Sequence, residues 1–255
     1  MLFTRLGVPK LWNEDPDRFW SFAWRSITPI VLRLAPSAAY GVERVPLSGG
    51  AVLAANHLSW IDHPLIGSFS PRPIRFLAKA ELIETPFAGD LVDWTGAVFV
   101  RRGESDREAL RRARQLAREG QLIGVHLEGT RQRFGYPGPI KPGGLMIAIQ
   151  EDVPVIPCGV ETFRWSPRNR RQCAVVWGEP ISLEGLPRGK RGYEQAGEIV
   201  GAELVRLWRL AAEAVGNGLP QELSDGTKRS GHNRRELLEH LSSSQGSKRM
   251  AGVSH

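Results

Sequence analysis

Short apolar runs recur along the middle of the chain and alternate with stretches whose apolar residues follow helical spacing. The runs predict strands at residues 51–55, 74–77, 97–100, 122–127, 153–160 and 174–177. Their near-continuous apolar character is typical of strands that are covered on both faces. Helical spacing predicts helices at residues 106–119, 144–151 and 193–214. The alternation predicts a single α/β domain in which helices flank a mostly parallel or mixed central sheet.

An amphipathic pattern at residues 18–35 precedes this domain and predicts an N-terminal helix. At 100° per residue, one broad arc carries large apolar side chains; they are Phe19, Trp20, Ala23, Trp24, Ile27, Ile30, Val31 and Leu34. The opposite arc carries arginine and serine, and Pro29 is expected to kink or split the helix. Two interpretations stay open: a helix that lies in a membrane interface, or a helix whose apolar face packs on the domain.

The character of the chain changes near its C-terminal end. Residues 224–255 are rich in serine, glycine, lysine and arginine and hold few large apolar residues. Such a composition buries too little surface to offset the entropy of ordering the chain, so we expect disorder. The predicted organisation is therefore an N-terminal amphipathic segment at 1–38, a domain at 39–216 and a basic tail at 217–255 that we expect to be disordered.

The charge of the chain bears on its partners more than on its fold. With 255 residues and a formal net charge of +7, the protein favours anionic partners such as phospholipid, nucleic acid or an acidic protein. Nucleic acid is not expected, because no basic strand with interleaved aromatic residues, zinc-knuckle spacing or basic heptad occurs. Neither a secretory signal pattern nor an apolar run of about 18 residues is evident, so a membrane would be met at its surface. The two cysteines, Cys158 and Cys173, are expected to be core residues in a reducing cytoplasm.

The first candidate for chemistry is AANHLSWIDHP, residues 54–64, which follows an apolar run with His57, Asp62 and His63. Five helical steps rotate a side chain by about 140°, so His57 and Asp62 cannot meet within one regular helix. Contact requires that His57 lie in the turn before a helix and Asp62 in the first turn of that helix. A base held by a carboxylate and a satisfied polar pair at a turn are both possible. A metal site is not expected, since the adjacent residues Asp62 and His63 point apart.

Two further apolar runs end in charged residues. GAVFVRRGESD, residues 96–106, places Arg101 and Arg102 just ahead of a predicted helix, where guanidinium and free N–H groups favour phosphate. HLEGTRQRFG, residues 126–135, ends another run with Glu128, Gly129, Thr130 and Arg131. A glycine there permits a tight or left-handed turn that lets neighbouring side chains converge. Each segment can equally be a decorated loop, and Lys79 at the end of a third run can be a solvated lysine.

Taken in order, these segments resemble the glycerolipid acyltransferase family, which includes the 1-acylglycerol-3-phosphate acyltransferases. The resemblance runs over about residues 50–160 and rests on four motifs. They are the His-x4-Asp motif at His57 and Asp62, the phosphate-binding strand end at Arg102, Glu-Gly-Thr-Arg at 128–131, and a Val-Pro-Ile-Ile-Pro-like strand at 153–157. Two departures lie beside the expected acceptor site. His126 and Leu127 stand where the family usually has Phe-Pro, and Arg101 stands where it often has an acidic residue.

The resemblance implies acyl transfer from acyl-CoA or acyl-carrier protein to the free hydroxyl of 1-acyl-sn-glycerol 3-phosphate, which gives phosphatidic acid. His57 is then the general base and Asp62 its partner, without an acyl-enzyme, a metal or a further cofactor. The implied substrate-binding residues are Lys79, Arg102, Glu128, Gly129, Thr130 and Arg131: the cations for phosphate and Glu128 for a hydroxyl. The implied location is peripheral, on the cytoplasmic face of an anionic membrane, which favours the interfacial interpretation of residues 18–35. The alternatives are an acyltransferase for another lysolipid or glycolipid acceptor, and a hydrolase that uses the same pair.

Overall fold

The computed structural model describes residues 15–85, 88–101 and 107–230. Within these ranges seven strands form one sheet: β1 Ser37–Tyr40, β2 Ala51–Ala55, β3 Ile74–Lys79, β4 Val98–Val100, β5 Leu122–His126, β6 Val155–Glu161 and β7 Cys173–Trp177. Their order across the sheet is β1-β7-β6-β2-β5-β3-β4. Neighbouring strands are parallel except β6 and β7, which are antiparallel. The predicted α/β fold with a mixed central sheet is confirmed.

Helices cover both faces of the sheet. They are α1 Pro16–Phe22, α2 Thr28–Leu34, α3 Asp62–Phe69, α4 Ala88–Trp94, α5 Arg107–Arg118, α6 Leu145–Glu151 and α7 Lys190–Gly216. Short 3₁₀ turns lie at Val42–Arg44, Ala80–Glu84 and Pro142–Gly144. Alternate residues of β2 join different apolar clusters: Leu53 packs in the cluster with α1 to α3, and Val52 packs in the cluster with α5 and α6. This double cover explains why the central strands are apolar at nearly every position.

The long helix α7 lies directly against β6. A Cβ atom added to Gly159 would come within 2.3 Å of the backbone carbon of Leu207, so only glycine permits this approach. The sequence pattern missed β1, because its four residues, Ser37–Tyr40, mix small polar, small apolar and aromatic types. β1 is held instead by parallel pairing with β7, a partner more than 130 residues later in the chain that local pattern cannot reveal.

The N-terminal helices pack their aromatic face on the domain. Phe19, Trp20 and Trp24 are buried, and the two indole N–H groups donate to backbone oxygens, Trp20 to Thr95 at 3.1 Å and Trp24 to Gly67 at 2.9 Å. Burying each such side chain contributes on the order of 2 kcal/mol. Of the two interpretations of residues 18–35, the structure therefore shows packing on the domain for this face. The membrane-interface role of residues 1–38 cannot use these rings, and residues 1–14 lie outside the described residues.

Pro29 was expected to kink or split the N-terminal helix, and the structure has a wide helical turn before it and no break in the helical backbone. A π-helical turn at Ala23–Ile27 leads straight into α2, whose first turn contains Pro29. A proline there lacks the N–H that would bond to the preceding turn, and one wide turn accommodates that missing bond. Where the structure describes the chain, no helix is both long and apolar enough to cross a bilayer.

Residues 217–230 are packed on the domain, although the sequence predicted a disordered tail from residue 217. Leu219 and Leu223 are buried in a cluster with Tyr40, and the Tyr40 hydroxyl donates to the oxygen of Pro220 at 2.8 Å. The N–H of Ser230 donates to the oxygen of Ala39 at 2.9 Å. Two buried leucines and these hydrogen bonds hold the segment on the domain, although its average composition is polar. Residues 231–255 of the expected tail lie outside the described residues.

Candidate active site

Five strands bring their carboxyl ends to one edge of the sheet. The parallel order β6-β2-β5-β3-β4 places Thr162, His57, His126, Lys79 and Arg101 along this edge in that sequence. The strands that lead to His57 and His126, β2 and β5, are neighbours about 4.8 Å apart, whereas Lys79 ends β3, two strands from β2. Carboxyl ends of parallel strands are where open α/β sheets commonly bind ligands.

His57 and Asp62 are joined through the turn that the sequence required. His57 follows β2, Asp62 is the first residue of α3, and His57 Nδ1 lies 2.7 Å from Asp62 Oδ2. The same oxygen accepts the backbone N–H groups of Leu58 at 2.7 Å and Ser59 at 2.9 Å. A carboxylate that accepts these bonds orients the imidazole so that Nδ1–H donates and Nε2 keeps its lone pair. This geometry suits the removal of a hydroxyl proton.

Thr162 is a member of this site that sequence reasoning missed. Its hydroxyl donates to Asp62 Oδ1, so that both oxygens of a fully buried carboxylate are satisfied. The available signal was its position immediately after β6, at the same edge as His57. Asn56, the buried residue before His57, connects β2 to β6. Its side-chain amide donates to the backbone oxygen of Val160 at 2.9 Å and accepts the backbone N–H of Val160 at 2.7 Å.

Two more histidines surround His57. The His126 ring stacks on the His57 ring, with centroids 4.1 Å apart and planes 18° apart. The His63 ring meets both edge-on, 5.2 Å from His57 and 4.4 Å from His126. Burial, followed by the neighbouring His63 and His57, lowers the pKa of His126 well below its ordinary value. His126 is therefore a neutral ring at physiological pH.

These three histidines are the described residues best placed for a metal, since one nitrogen of each lies within 4.8 Å of the others. An ion must lie in the plane of every ring that binds it, about 2 Å from the nitrogen. The rings of His57 and His126 are stacked and nearly parallel, so their lone pairs run side by side instead of converging. A metal would require one ring to turn and give up its present hydrogen bond.

Glu128 lies beneath the site rather than on its surface. The side chain is 2% exposed, Oε1 accepts the N–H of Gly138 at 3.3 Å, and Oε2 is buried without a partner among the described residues. Burial raises the pKa of Glu128 to about 7, against the backbone N–H groups of Gly138, Glu128 and His57, which lower it. The carboxyl therefore anchors the loop that follows it and retains one oxygen for a further donor.

The loop at residues 129–141 carries cations and runs beside the site. Gly129 has φ +67, and a Cβ there would meet the Lys141 side chain at 3.2 Å, so the glycine permits a left-handed turn beneath this lysine. The N–H of Gln132 donates to the oxygen of His57 at 2.7 Å, which fixes the loop to the histidine. Arg131 and Thr130 are exposed. Lys141 is a cation near the site that the motif search did not single out.

The remaining predicted cations are less well placed. Lys79 is paired with Glu81 at 3.0 Å, so the carboxylate competes with any bound anion. Arg101 follows β4, three strands away from His57. Arg102 lies outside the described residues. Of the predicted substrate-binding residues, the structure thus brings Glu128, Gly129, Thr130 and Arg131 next to the histidine and holds Lys79 farther along the edge.

The acyltransferase family model matches residues 37–161, which include β1 to β6 and both His57 and Asp62. Over these residues, close to half of the chain, the sequence is similar to the acyltransferase family. The fold resembles the 1-acyl-sn-glycerophosphate acyltransferase PlsC of Thermotoga maritima, with a TM-score of 0.59 at 24% identity over 76% of this chain and 83% of that one.

Two relatives acylate different lipids according to their names. A 1-acyl-sn-glycerol-3-phosphate acyltransferase of Bacillus subtilis is 27% identical over 56% of this chain and 72% of its own length. A lyso-ornithine lipid O-acyltransferase of Pseudomonas aeruginosa is 36% identical over 44% of this chain and 40% of its own length. The matched part of the chain thus spans well under half of the second relative. Both names describe acyl transfer to a lysolipid.

Proposed function

We propose that this acyltransferase moves a fatty acyl group from a thioester, acyl-CoA or acyl-carrier protein, to the free hydroxyl of 1-acyl-sn-glycerol 3-phosphate, which gives phosphatidic acid. The observation that carries the proposal is the buried pair of His57 and Asp62 beneath a loop that bears Arg131 and Lys141. The names of relatives in Bacillus subtilis and Thermotoga maritima support the acceptor.

In the proposed reaction His57 Nε2 takes the proton from the acceptor hydroxyl while Asp62 stabilises the imidazolium that forms. The acceptor oxygen attacks the thioester carbonyl carbon, an ester bond forms and the carbon–sulfur bond breaks. The departing thiolate then recovers the proton from His57. All four donors to the Asp62 carboxylate are in place before substrate arrives, so the base needs little reorganisation during the reaction.

Direct attack is proposed, without an acyl-enzyme. Burial, with a contribution from Asp62, raises the pKa of the Cys158 thiol well above its ordinary value, so this cysteine remains an unreactive thiol. Ser59 is the nearest hydroxyl in sequence to His57. Intact-mass measurement after mixing with acyl-CoA alone is expected to show no adduct, and Ser59→Ala is expected to retain activity. An acyl adduct on wild type that disappears in this variant would replace direct attack by a two-step route.

The acceptor phosphate is proposed to bind at the loop cations. Arg131 offers a guanidinium for bidentate contact, and Lys141, which lies against Gly129, adds a second charge. The free Oε2 of Glu128 is proposed to accept a hydrogen bond from the glycerol portion. Holding the phosphate places the hydroxyl against His57, and such positioning is a major part of the rate enhancement. Lys79 and Arg102 are proposed as secondary contacts.

A lyso-ornithine lipid is the second candidate acceptor, because the relative with this name reaches 36% identity. Its head group has an amine and a carboxylate but no phosphate. Activity should therefore be compared on both acceptors in wild type, Arg131→Ala and the matched control Arg164→Ala, an exposed arginine of another loop. We expect Arg131→Ala to raise KM for the phosphate acceptor by at least tenfold. An equal loss of activity on both acceptors would show that Arg131 does not bind the phosphate.

The decisive experiment tests the base itself. Purified protein is incubated with acyl-CoA or acyl-carrier protein and a panel of lysolipids, and the product is identified by mass spectrometry. His57→Ala should reduce kcat at least about a thousandfold while preserving the fold by circular dichroism. Free fatty acid as the main wild-type product would indicate a hydrolase. Near wild-type transfer by His57→Ala would refute the mechanism.

The protein is further proposed to meet an anionic lipid surface, on the cytoplasmic face of the membrane, through the mouth of this site. Exposed rings lie on two segments that adjoin the site: Trp60 is three residues after His57, and Phe134 and Tyr136 stack with centroids 6.1 Å apart on the loop after Arg131 and Arg133. Aromatic rings with adjacent arginines favour the interface of an anionic bilayer. Phe134→Ser should halve, or more than halve, sedimentation with vesicles containing 30% anionic lipid, whereas Phe22→Ser on α1 should not. Equal effects of the two substitutions on sedimentation would show that Phe134 is not a specific membrane contact.

A further inference from the structure

His126 is a half-buried histidine to which the proposed chemistry assigns no role. It ends β5, next to His57 across the β2–β5 ladder, where Ala55 pairs with His126. It also marks a departure from the family pattern, since phenylalanine usually occupies this position. Histidine and phenylalanine both have a flat ring, but only histidine has two ring nitrogens.

The surroundings of His126 fix its ring. Nδ1 lies 2.8 Å from the oxygen of Asn56, a carbonyl that can only accept, so Nδ1 carries the hydrogen. Asn56 is itself clamped to Val160 on β6. The ring is thus connected through backbone and side-chain hydrogen bonds to the centre of the sheet, and it presents its face to His57 at 4.1 Å.

Two titratable side chains, both histidines, face His126 among the residues that the structure describes. His57 contributes a stacked ring from the turn after β2, and His63 contributes a ring edge from α3 at 4.4 Å. From β3 comes Phe76, whose ring is 6.1 Å away and nearly parallel. His126 is therefore enclosed by rings, and its neutral form places no charge against the base.

We infer that His126 is a positioning residue for His57: its face holds the imidazole in line with Asp62 and lies against the imidazolium that forms when His57 takes a proton. A cation over the face of a neutral aromatic ring is attracted to it, and the attraction increases in a site that excludes water. The contact is stronger after proton transfer than before, so it acts on kcat rather than on KM. This inference rests on the proposed function for its kinetic consequence.

Two substitutions distinguish the effect of the flat ring of His126 from the effect of its hydrogen bond to Asn56. His126→Phe and His126→Leu both lose the bond to Asn56, but only phenylalanine keeps a flat face against His57. We expect kcat of His126→Phe to stay within about threefold of wild type and kcat of His126→Leu to fall by about tenfold, with KM for acceptor unchanged within twofold in both. Equal kcat values in the two variants would overturn the inference.

A second readout does not depend on activity. The Nδ1–H proton that His57 donates to Asp62 should give a downfield proton NMR signal, assigned by its loss in His57→Gln. We expect the signal to persist in His126→Phe and to broaden or disappear in His126→Leu, while both variants unfold at similar temperatures. A signal that is unchanged in His126→Leu would refute positioning even if the protein proved to have a different substrate. Absence of acyl transfer in wild type with the expected NMR pattern would refute only the proposed function.

Discussion

The buried carboxyl of Glu128 provides a prediction whose magnitude follows from the structure. Its pKa is raised from 4.5 to about 7, chiefly by burial. In the unfolded chain the group ionises near the lower value, whereas in the folded protein it holds its proton to the higher one. The stabilising contribution is therefore fully present below pH 4.5 and is lost as pH rises through 7.

The size of this loss can be estimated from the interval between the two pKa values. At about 1.4 kcal/mol per pH unit, an interval of about 2.5 corresponds to roughly 3 kcal/mol. Glu128→Gln keeps an oxygen for the N–H of Gly138 and cannot ionise. We therefore expect the variant to gain about 2–3 kcal/mol relative to wild type between pH 5 and pH 8, which is roughly 5–10 °C in Tm for a chain of this size.

The assay is urea or thermal unfolding of both proteins at half-unit pH intervals, reported as the difference between them. Taking the difference removes the contributions of other titrating groups. Glu184→Gln, at an exposed position, serves as the control and should give a difference that is flat with pH. A flat difference for Glu128→Gln as well would show that the carboxyl is not held in a desolvated site, and the account of the loop anchor would be wrong.

Three further predictions concern single contacts. Asp62→Asn should lower kcat by about a thousandfold or more and destabilise the fold by about 2–4 kcal/mol, because an amide N–H would face donors in a buried site; activity within tenfold of wild type would contradict this. Gly129→Ala should cost about 1–2 kcal/mol in urea unfolding, because φ is +67, and should raise acceptor KM as Lys141 moves; unchanged values for both would exclude the strained turn. Trp24→Ala should cost about 3–5 kcal/mol whereas Phe22→Ala should cost less than about 1, so equal costs would argue against the buried face of the N-terminal helix.

Local pattern was enough for the elements that are covered on both faces. The run at 51–55 became β2 without a shift, and the helical spacing at 193–214 lies within α7, Lys190–Gly216. The geometry of His57 and Asp62 was also accessible, because both residues belong to one turn and the first turn of one helix. Contacts within about five residues leave a signature in sequence, since spacing alone restricts how the side chains can meet.

Features that depend on distant partners were missed for the same reason. Thr162 reaches Asp62 across 100 residues, and His126 stacks on His57 across 69 positions of sequence. The amphipathic pattern at residues 18–35 correctly marked an apolar face but could not state whether lipid or protein covers it. The domain determines this, because the backbone oxygens of Gly67 and Thr95 accept hydrogen bonds from the two indoles.

The sequence by itself determined the α/β alternation, the strand-to-helix turn that carries His57 and Asp62, and the net positive charge. Tertiary structure alone decided which strand ends share an edge, and hence that the imidazole of His126, the hydroxyl of Thr162 and the ammonium group of Lys141 join the site. Hydrophobic periodicity specifies which face of an element is buried, but it carries no information on which other element buries it. Strand order in a parallel sheet is set by that choice of partners, so the composition of the site had to come from the fold.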